Sequence, residues 1–319
     1  MNHTTAPLAL VIDLVRSGSA TTRPELVDLT GLGRKVVTQR VDQAIELGLL
    51  EDGQLAPSSG GRQARTLHFR AKAGYVYSAL LGASEFTAAI LDLSGEIITS
   101  HHEDFNVDQG PDTTMRRVEN AFTQLGRSTG LNRPWGMGIG VPGPVEFATG
   151  RLVAPPIMPG WDGFSVRSWF RDHYDAPVWV DNDVNLMALG EWTAGKPRDG
   201  RDMLFVKAGT GIGAGLIVRG RVLRGDRGAA GDIGHVHVSD DPAQICRCGR
   251  TGCLEAVASG WSLLEEATRR AAESDRLSAV LTKHGTLSLG EIGAAAVAGD
   301  PHAREMNDRR GEAHAAVVA

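Results

Sequence analysis

All three cysteines of this chain lie within eight residues, in the run Cys246-Arg-Cys248-Gly-Arg-Thr-Gly-Cys253. A histidine, His235, stands eleven residues before the first of them. Three thiolates and one imidazole make a complete ligand set for tetrahedral zinc. Gly249 and Gly252 let the backbone turn tightly enough for the sulfurs to face one point. Two other readings stay open: three reduced cysteines packed as small hydrophobes, or a disulfide with one thiol left over. Against them, Arg247, Arg250 and Thr251 suit a buried apolar strand poorly, and nothing else marks a secreted chain.

With 319 residues the chain exceeds one small core, so two or three domains are expected. Forty glycines suit an α/β protein with many close turns. No apolar run approaches the roughly 18 residues needed to span a bilayer. The start, Met1-Asn-His-Thr-Thr, lacks the basic residues and apolar stretch of a signal peptide. A cytoplasmic location is expected, with no membrane partner. The net charge of −5 is unevenly spread: residues 1–70 hold eight Lys/Arg against seven Asp/Glu, and the remainder 25 against 31. Where the basic residues of the head sit matters more than their total.

Leu8, Val11, Ile12 and Val15 recur at the spacing of an amphipathic helix, which stops at Ser17-Gly18-Ser19. Thr22-Arg-Pro-Glu25 reads as a capping box opening a short second helix that ends near Thr30-Gly31. A third helix begins about Gly33, with Val37, Val41, Ala44 and Ile45 on one face. Arg34, Lys35, Thr38, Gln39 and Arg40 occupy its other surfaces. Two extended runs then flank Pro57-Ser-Ser-Gly-Gly-Arg62. Three helices and a glycine-tipped hairpin predict a winged helix-turn-helix over residues 1–72. Its third helix would present those polar side chains to base edges and phosphates, and Arg62 would reach a minor groove or a phosphate. The competing reading is a helical dimerisation module whose arginines are only solvated.

From about Gly74 the pattern becomes α/β: strands at 75–81, 87–92 and 96–100, a helix near 114–130, and a strand at 135–140. A buried strand at 178–180 delivers Asp181-Asn-Asp-Val-Asn185 at its C-terminal end, where α/β sheets tend to place ligand groups. Asp183 could accept a proton from a substrate hydroxyl, or it could simply cap the helix that follows. The turn Gly209-Thr-Gly-Ile-Gly213 could offer N–H groups to a phosphate, although no Gly-Lys-Ser/Thr follows.

Together these residues resemble the ROK family (repressors, open reading frames and sugar kinases) over nearly the whole chain. The resemblance is carried by Gly31-Leu32, Glu46-Leu-Gly-Leu49 and Gly60-Gly-Arg62 in the head. In the body it is carried by Gly138-Ile-Gly-Val-Pro-Gly-Pro144, Asn182-Asp183-Val-Asn185, Gly209–Gly215, Gly234-His235 and Cys246–Glu255. It implies an actin-like (ribonuclease H-like) sugar kinase fold over residues 73–319, with sugar in the cleft and zinc bracing its wall. His235, Cys246, Cys248 and Cys253 match the zinc ligands, with His237 a nearby competitor for the histidine role. Asn182, Asp183, His235 and Glu255 match sugar-contacting positions, and Asp232 stands where a glutamate is expected. Asp183 matches the base of kinase members, which would use ATP and Mg2+ with Gly209, Thr210, Gly211 and Gly213 near the phosphates.

The sequence departs from the kinase pattern at Leu80-Leu-Gly-Ala-Ser84, which replaces an Asp-x-Gly-Gly-Thr phosphate loop. It also stops at Ala319, before the glycine-rich segment that cradles adenosine in family members, so the second lobe is expected to be truncated. Losing a transition-state charge partner costs about 3 kcal/mol or more. The expected function is therefore a sugar-responsive transcriptional repressor with a zinc-braced pocket, acting on operator DNA. Its effector would be a sugar or sugar phosphate, and its state a homodimer or higher oligomer. The alternative is an ATP-dependent, glucokinase-like hexose kinase with Asp183 as base.

Overall fold

The computed structural model describes residues 5–56, 63–195 and 202–318. By contact density the chain divides into two units, one of residues 1–78, 88–101 and 121–137, the other of residues 79–87, 102–120 and 138–319.

The first unit opens with three helices, α1 (Thr5–Arg16), α2 (Arg23–Thr30) and α3 (Arg34–Glu46), and an antiparallel pair, β1 (Leu50–Leu55) and β2 (Arg65–Phe69). The periodic apolar positions make its core: Val11, Leu26, Val37, Val41 and Ala44 are fully buried, joined by Leu50 and Leu67 from the strands. The capping box forms as the sequence predicts. Thr22 Oγ1 accepts the Glu25 N–H, and the Glu25 carboxylate accepts the Thr22 N–H at 3.1 Å. Gly31 then ends α2 at φ +68°, a left-handed conformation that glycine adopts without strain. Arg23 binds Asp42 of α3 and Asp52 of β1, tying the second helix to its neighbours. The segment Pro57–Arg62, with Arg62 itself, lies outside the described residues.

Next come β3 (Tyr75–Leu81), β4 (Glu85–Asp92), β5 (Ile97–Asp104), α4 (Pro111–Thr129), β6 (Gly136–Val141), the short pair β7 (Val145–Glu146) and β8 (Arg151–Leu152), α5 (Val166–His173) and β9 (Val178–Asn182). Five of these strands form a sheet of order β5-β4-β3-β6-β9. In the first unit, Tyr77 stacks on Phe122 with ring centroids 4.9 Å apart and donates its hydroxyl to the Leu131 carbonyl at 2.6 Å. Also within this unit, the Leu93 N–H bonds the Ala71 carbonyl.

The second unit continues with α6 (Asp183–Ala194) and an antiparallel sheet of β10 (Met203–Ala208), β11 (Ile212–Val218) and β12 (Arg221–Leu223). Helix α6 lies on β10 and β11 because Gly215 has no side chain; a Cβ there would collide with the Ala188 Cβ. The helices α7 (Leu254–Ala258), α8 (Gly260–Arg269), α9 (Asp275–His284), α10 (Leu289–Val297) and α11 (Pro301–Val318) follow. Leu277, Ile292, Ala303 and Met306 form their common core. Among the described residues no helix is long and apolar enough to cross a membrane.

Candidate ligand pocket and metal cluster

Both candidate centres are built inside the second unit. Strand β9 ends at Asn182, which caps α6: its Oδ1 accepts the N–H groups of Val184 and Asn185 at 2.9 and 3.2 Å. Its Nδ2 donates to the Gly143 carbonyl at 3.2 Å. Capping therefore falls to Asn182, and α6 starts at Asp183 itself. Asp183 is thereby released from capping and turns inward, only 3% exposed. Burial pushes its carboxyl above the usual range, and the ammonium of Lys207, 2.6 Å away, opposes that shift.

Asn182, Asp183, Asp232, His235 and Glu255 all line one cavity of about 400 Å³. Glu255, in the first turn of α7, is held by the Ile212 N–H, which donates to its Oε2 at 3.0 Å. Asp232 is also pushed upward, by burial, with His235 opposing and Glu255 reinforcing. The turn Gly209-Thr-Gly211 lines the cavity too, together with Gly213. Its backbone is partly engaged already: the Gly209 N–H bonds the Gly211 carbonyl, and the Gly209 and Thr210 carbonyls accept from Gly260 and Trp261. Lys207, Arg247 and Trp261 are among the lining groups that the sequence does not mark as such. The Arg247 guanidinium lies over the Trp261 ring, 4.5 Å from its centroid. Gly82, Ala83 and Ser84, from the divergent phosphate loop, also line the cavity, followed by Glu85.

Against this pocket stands the cysteine loop. The ligand atoms of His235, Cys246, Cys248 and Cys253 all lie within 4.8 Å of one another. Cys248 Sγ and Cys253 Sγ are 3.7 Å apart, and Cys246 Sγ is 3.6 Å from His235 Nδ1. A tetrahedron with metal–sulfur bonds of about 2.3 Å and metal–nitrogen bonds of about 2.0 Å has edges of roughly 3.8 and 3.5 Å. The four side chains therefore fit a tetrahedral metal, while a disulfide needs sulfurs about 2 Å apart. Gly252 makes the loop possible, at φ +72° with its Cα against the Ser239 carbonyl, where no Cβ could fit. Burial pushes the Cys246 thiol up to about 12. At Cys248 burial is outweighed by hydrogen bonds from Arg250 and the other thiols, which bring it down to about 7. His237, the competing histidine, is engaged elsewhere, with Asp240 at 3.0 Å and the Thr251 carbonyl at 3.2 Å.

The residues singled out for nucleic acid gather on α3 in the first unit. Arg34, Lys35, Thr38 and Gln39 are exposed, opposite the buried Val37, Val41 and Ala44. Arg40 is half-buried and turns along its own helix, donating to Gln43 at 2.9 Å.

Known proteins resemble this chain in sequence and in fold. A glucokinase of Halalkalibacterium halodurans is 32% identical over 232 residues, covering 72% of this chain and 70% of that protein. The xylose repressor of Bacillus subtilis is 29% identical over 262 residues, covering 80% of this chain and 66% of the repressor. The chain thus spans about two thirds of that repressor's length. In fold, a solved ROK family transcriptional regulator, a homologue of the E. coli MLC protein, matches with a TM-score of 0.81 at 24% identity. That match covers 99% of this chain and 80% of the regulator. The ROK family profile itself matches residues 76–319, and the chain belongs to the ROK family.

Proposed function

We propose that this protein is a sugar-responsive, DNA-binding transcriptional regulator acting as a repressor. Residues 1–72 serve as its winged helix-turn-helix module and residues 73–319 as its sugar-sensing body. The observation that carries this reading is α3, whose exposed Arg34, Lys35, Thr38 and Gln39 back onto a fully buried apolar face. A helix with an N-terminal basic and amide-bearing surface suits major-groove recognition. The similarity to a xylose repressor supports the same reading. The effector is a sugar, bound by Asn182, Asp183, Asp232, His235 and Glu255, whose acceptors and imidazole suit several neighbouring hydroxyls. Zinc at His235, Cys246, Cys248 and Cys253 would fix the His235 side of that pocket and supplies structure, not chemistry. The protein works in the cytoplasm as a homodimer or higher oligomer, which suits paired half-sites on DNA.

A second reading, an ATP-dependent hexose kinase with Asp183 as base, is favoured by the similarity to a glucokinase. Two features weigh against it. The carboxylate of Asp183 is already engaged by Lys207, and Leu80-Leu-Gly-Ala-Ser84 offers no carboxylate for Mg2+. Two assays test the pair of readings. Duplex DNA enriched from a random pool should bind at submicromolar concentration and respond to added sugar. A coupled ATP assay over a hexose panel should show no turnover in the range of about 1–100 per second. Turnover in that range without DNA binding would establish the kinase instead.

A further inference from the structure

Lys207 sits on the face of β10 that meets α6. In the antiparallel register it pairs with Gly213, whose missing side chain leaves the strand open to Val184 of that helix. The lysine therefore projects beside the first turn of α6, and its Nζ lies 2.6 Å from Asp183 Oδ2. The two side chains differ sharply in exposure, 30% for the lysine and 4% for the aspartate. Both line the same cavity. An ammonium has three N–H donors, and among the described residues Asp183 is the one hydrogen-bond partner of this one. Its remaining donors are available at the cavity wall beside an acceptor of fixed position.

We propose that Lys207 and Asp183 form a donor–acceptor pair that reads two adjacent hydroxyls of a sugar, Lys207 donating to one and Asp183 accepting from the other. A net-neutral pair recognises a neutral diol without demanding a charge on the ligand. Because the lysine occupies Oδ2, the aspartate meets the ligand through its other oxygen. A side chain that both anchors the buried carboxylate and contacts the ligand makes Lys207 a specificity-determining residue. This inference rests on the sugar-pocket reading above.

Isothermal titration of the full chain with D-xylose and D-glucose comes first, followed by the monodeoxy analogues of whichever binds more tightly. In the wild type, loss of either of two neighbouring hydroxyls should cost about tenfold or more in affinity, since a buried polar group is then left unpaired. In Lys207→Met, the sugar should bind at least about tenfold more weakly, and removing one of those two hydroxyls should cost nothing further. A purely structural lysine would lower affinity while leaving the deoxy pattern unchanged, and that result overturns the proposal. Thermal melts accompany each variant. Should Lys207→Met fail to fold, Lys207→Leu, which likewise removes the donor, carries the same expectation for the pattern. If the wild type binds neither sugar, the sugar-pocket reading fails and the diol assignment with it. If it binds sugar and the Lys207 variants keep the full deoxy pattern, only the diol assignment fails.

Discussion

Arg224 grips one oxygen of Asp181 twice, with Nε at 2.8 Å and Nη2 at 2.7 Å. The other oxygen accepts from Asn185 Nδ2 at 3.0 Å and from the Asn182 N–H at 2.9 Å. Asp181 is 2% exposed, so its charge is tolerable only because every direction is answered. The same carboxylate thereby fixes the turn that carries Asn182 and Asp183 into the pocket. Arg224→Met should destabilise the protein by about 3–5 kcal/mol in chemical denaturation, the usual cost of orphaning a buried ion-pair partner. Adding Asp181→Asn to Arg224→Met should recover part of that loss. A double variant no more stable than the single one would show that the charge is not the cause.

The metal cluster makes a stoichiometric prediction. Protein purified without chelator should carry one zinc per chain by elemental analysis, and Cys248→Ser should carry none. Metal binding to a site absent from the unfolded chain contributes directly to folding. Chelation should therefore lower the melting temperature by more than about 5 °C and weaken sugar binding, since His235 lines the cavity as well as the cluster. An equally stable metal-free protein, with all three thiols reduced, would favour plain packing of the cysteines.

Local signals were legible and long-range pairings were not. The apolar spacing of Val37, Val41 and Ala44 and the Thr22–Glu25 capping box depend on neighbours within a turn or two, so they could be read directly. The cysteine cluster was legible because its ligands are close in sequence. Lys207 was not. A lysine between Val206 and Ala208 reads as a solvated strand residue, and only the packing of α6 on β10 brings it to an aspartate 24 residues away. Arg224 is likewise 43 residues from Asp181. Asp183 could be read either as a cap or as a ligand group; Asn182, one residue earlier, takes the capping role.

Glu266 should make the protein acid-sensitive. Its carboxylate binds Arg270 Nη1 at 3.1 Å, Arg309 Nη2 at 2.5 Å and Arg310 Nη2 at 2.9 Å, joining α8 to α11. Burial alone would raise its pKa, but the hydrogen bonds from the three arginines outweigh it and hold the group at about 2. A depressed folded-state pKa stabilises above the unfolded value, about 4.3, and that contribution is lost as pH falls towards 2. The full linkage would be about 3 kcal/mol; because Arg309 is half exposed and screened, about 2 kcal/mol is expected. Stability measured from pH 7 to pH 2 should fall through that window in the wild type. In Glu266→Gln it should be lower at pH 7 and flatter below pH 4.5. Parallel curves for the two proteins would show that other carboxylates govern acid unfolding.

The DNA surface proposed for α3 can be tested by salt dependence. Helix α3 starts after Gly33 with no side-chain cap, and although the Val36 N–H is taken by the Gly33 carbonyl, the N–H groups of Arg34 and Lys35 are open to a phosphate. Each phosphate contact adds about 0.9 to the slope of log affinity against log salt. Arg34→Ala and Lys35→Ala should each weaken binding to an enriched duplex and reduce that slope by about 1. Arg62→Ala should do the same if Arg62 contacts a phosphate. Thr38→Ala and Gln39→Ala should leave the slope unchanged and relax sequence preference, as expected for groups facing base edges. Arg40 should behave differently from both sets. With Nη1 on Gln43 and Nε buried, it is committed to its own helix. Arg40→Ala should therefore lower the melting temperature more than it lowers DNA affinity. Fluorescence anisotropy at four salt concentrations distinguishes these outcomes, and an unchanged slope in Arg34, Lys35 and Arg62 variants alike would move the DNA surface off α3.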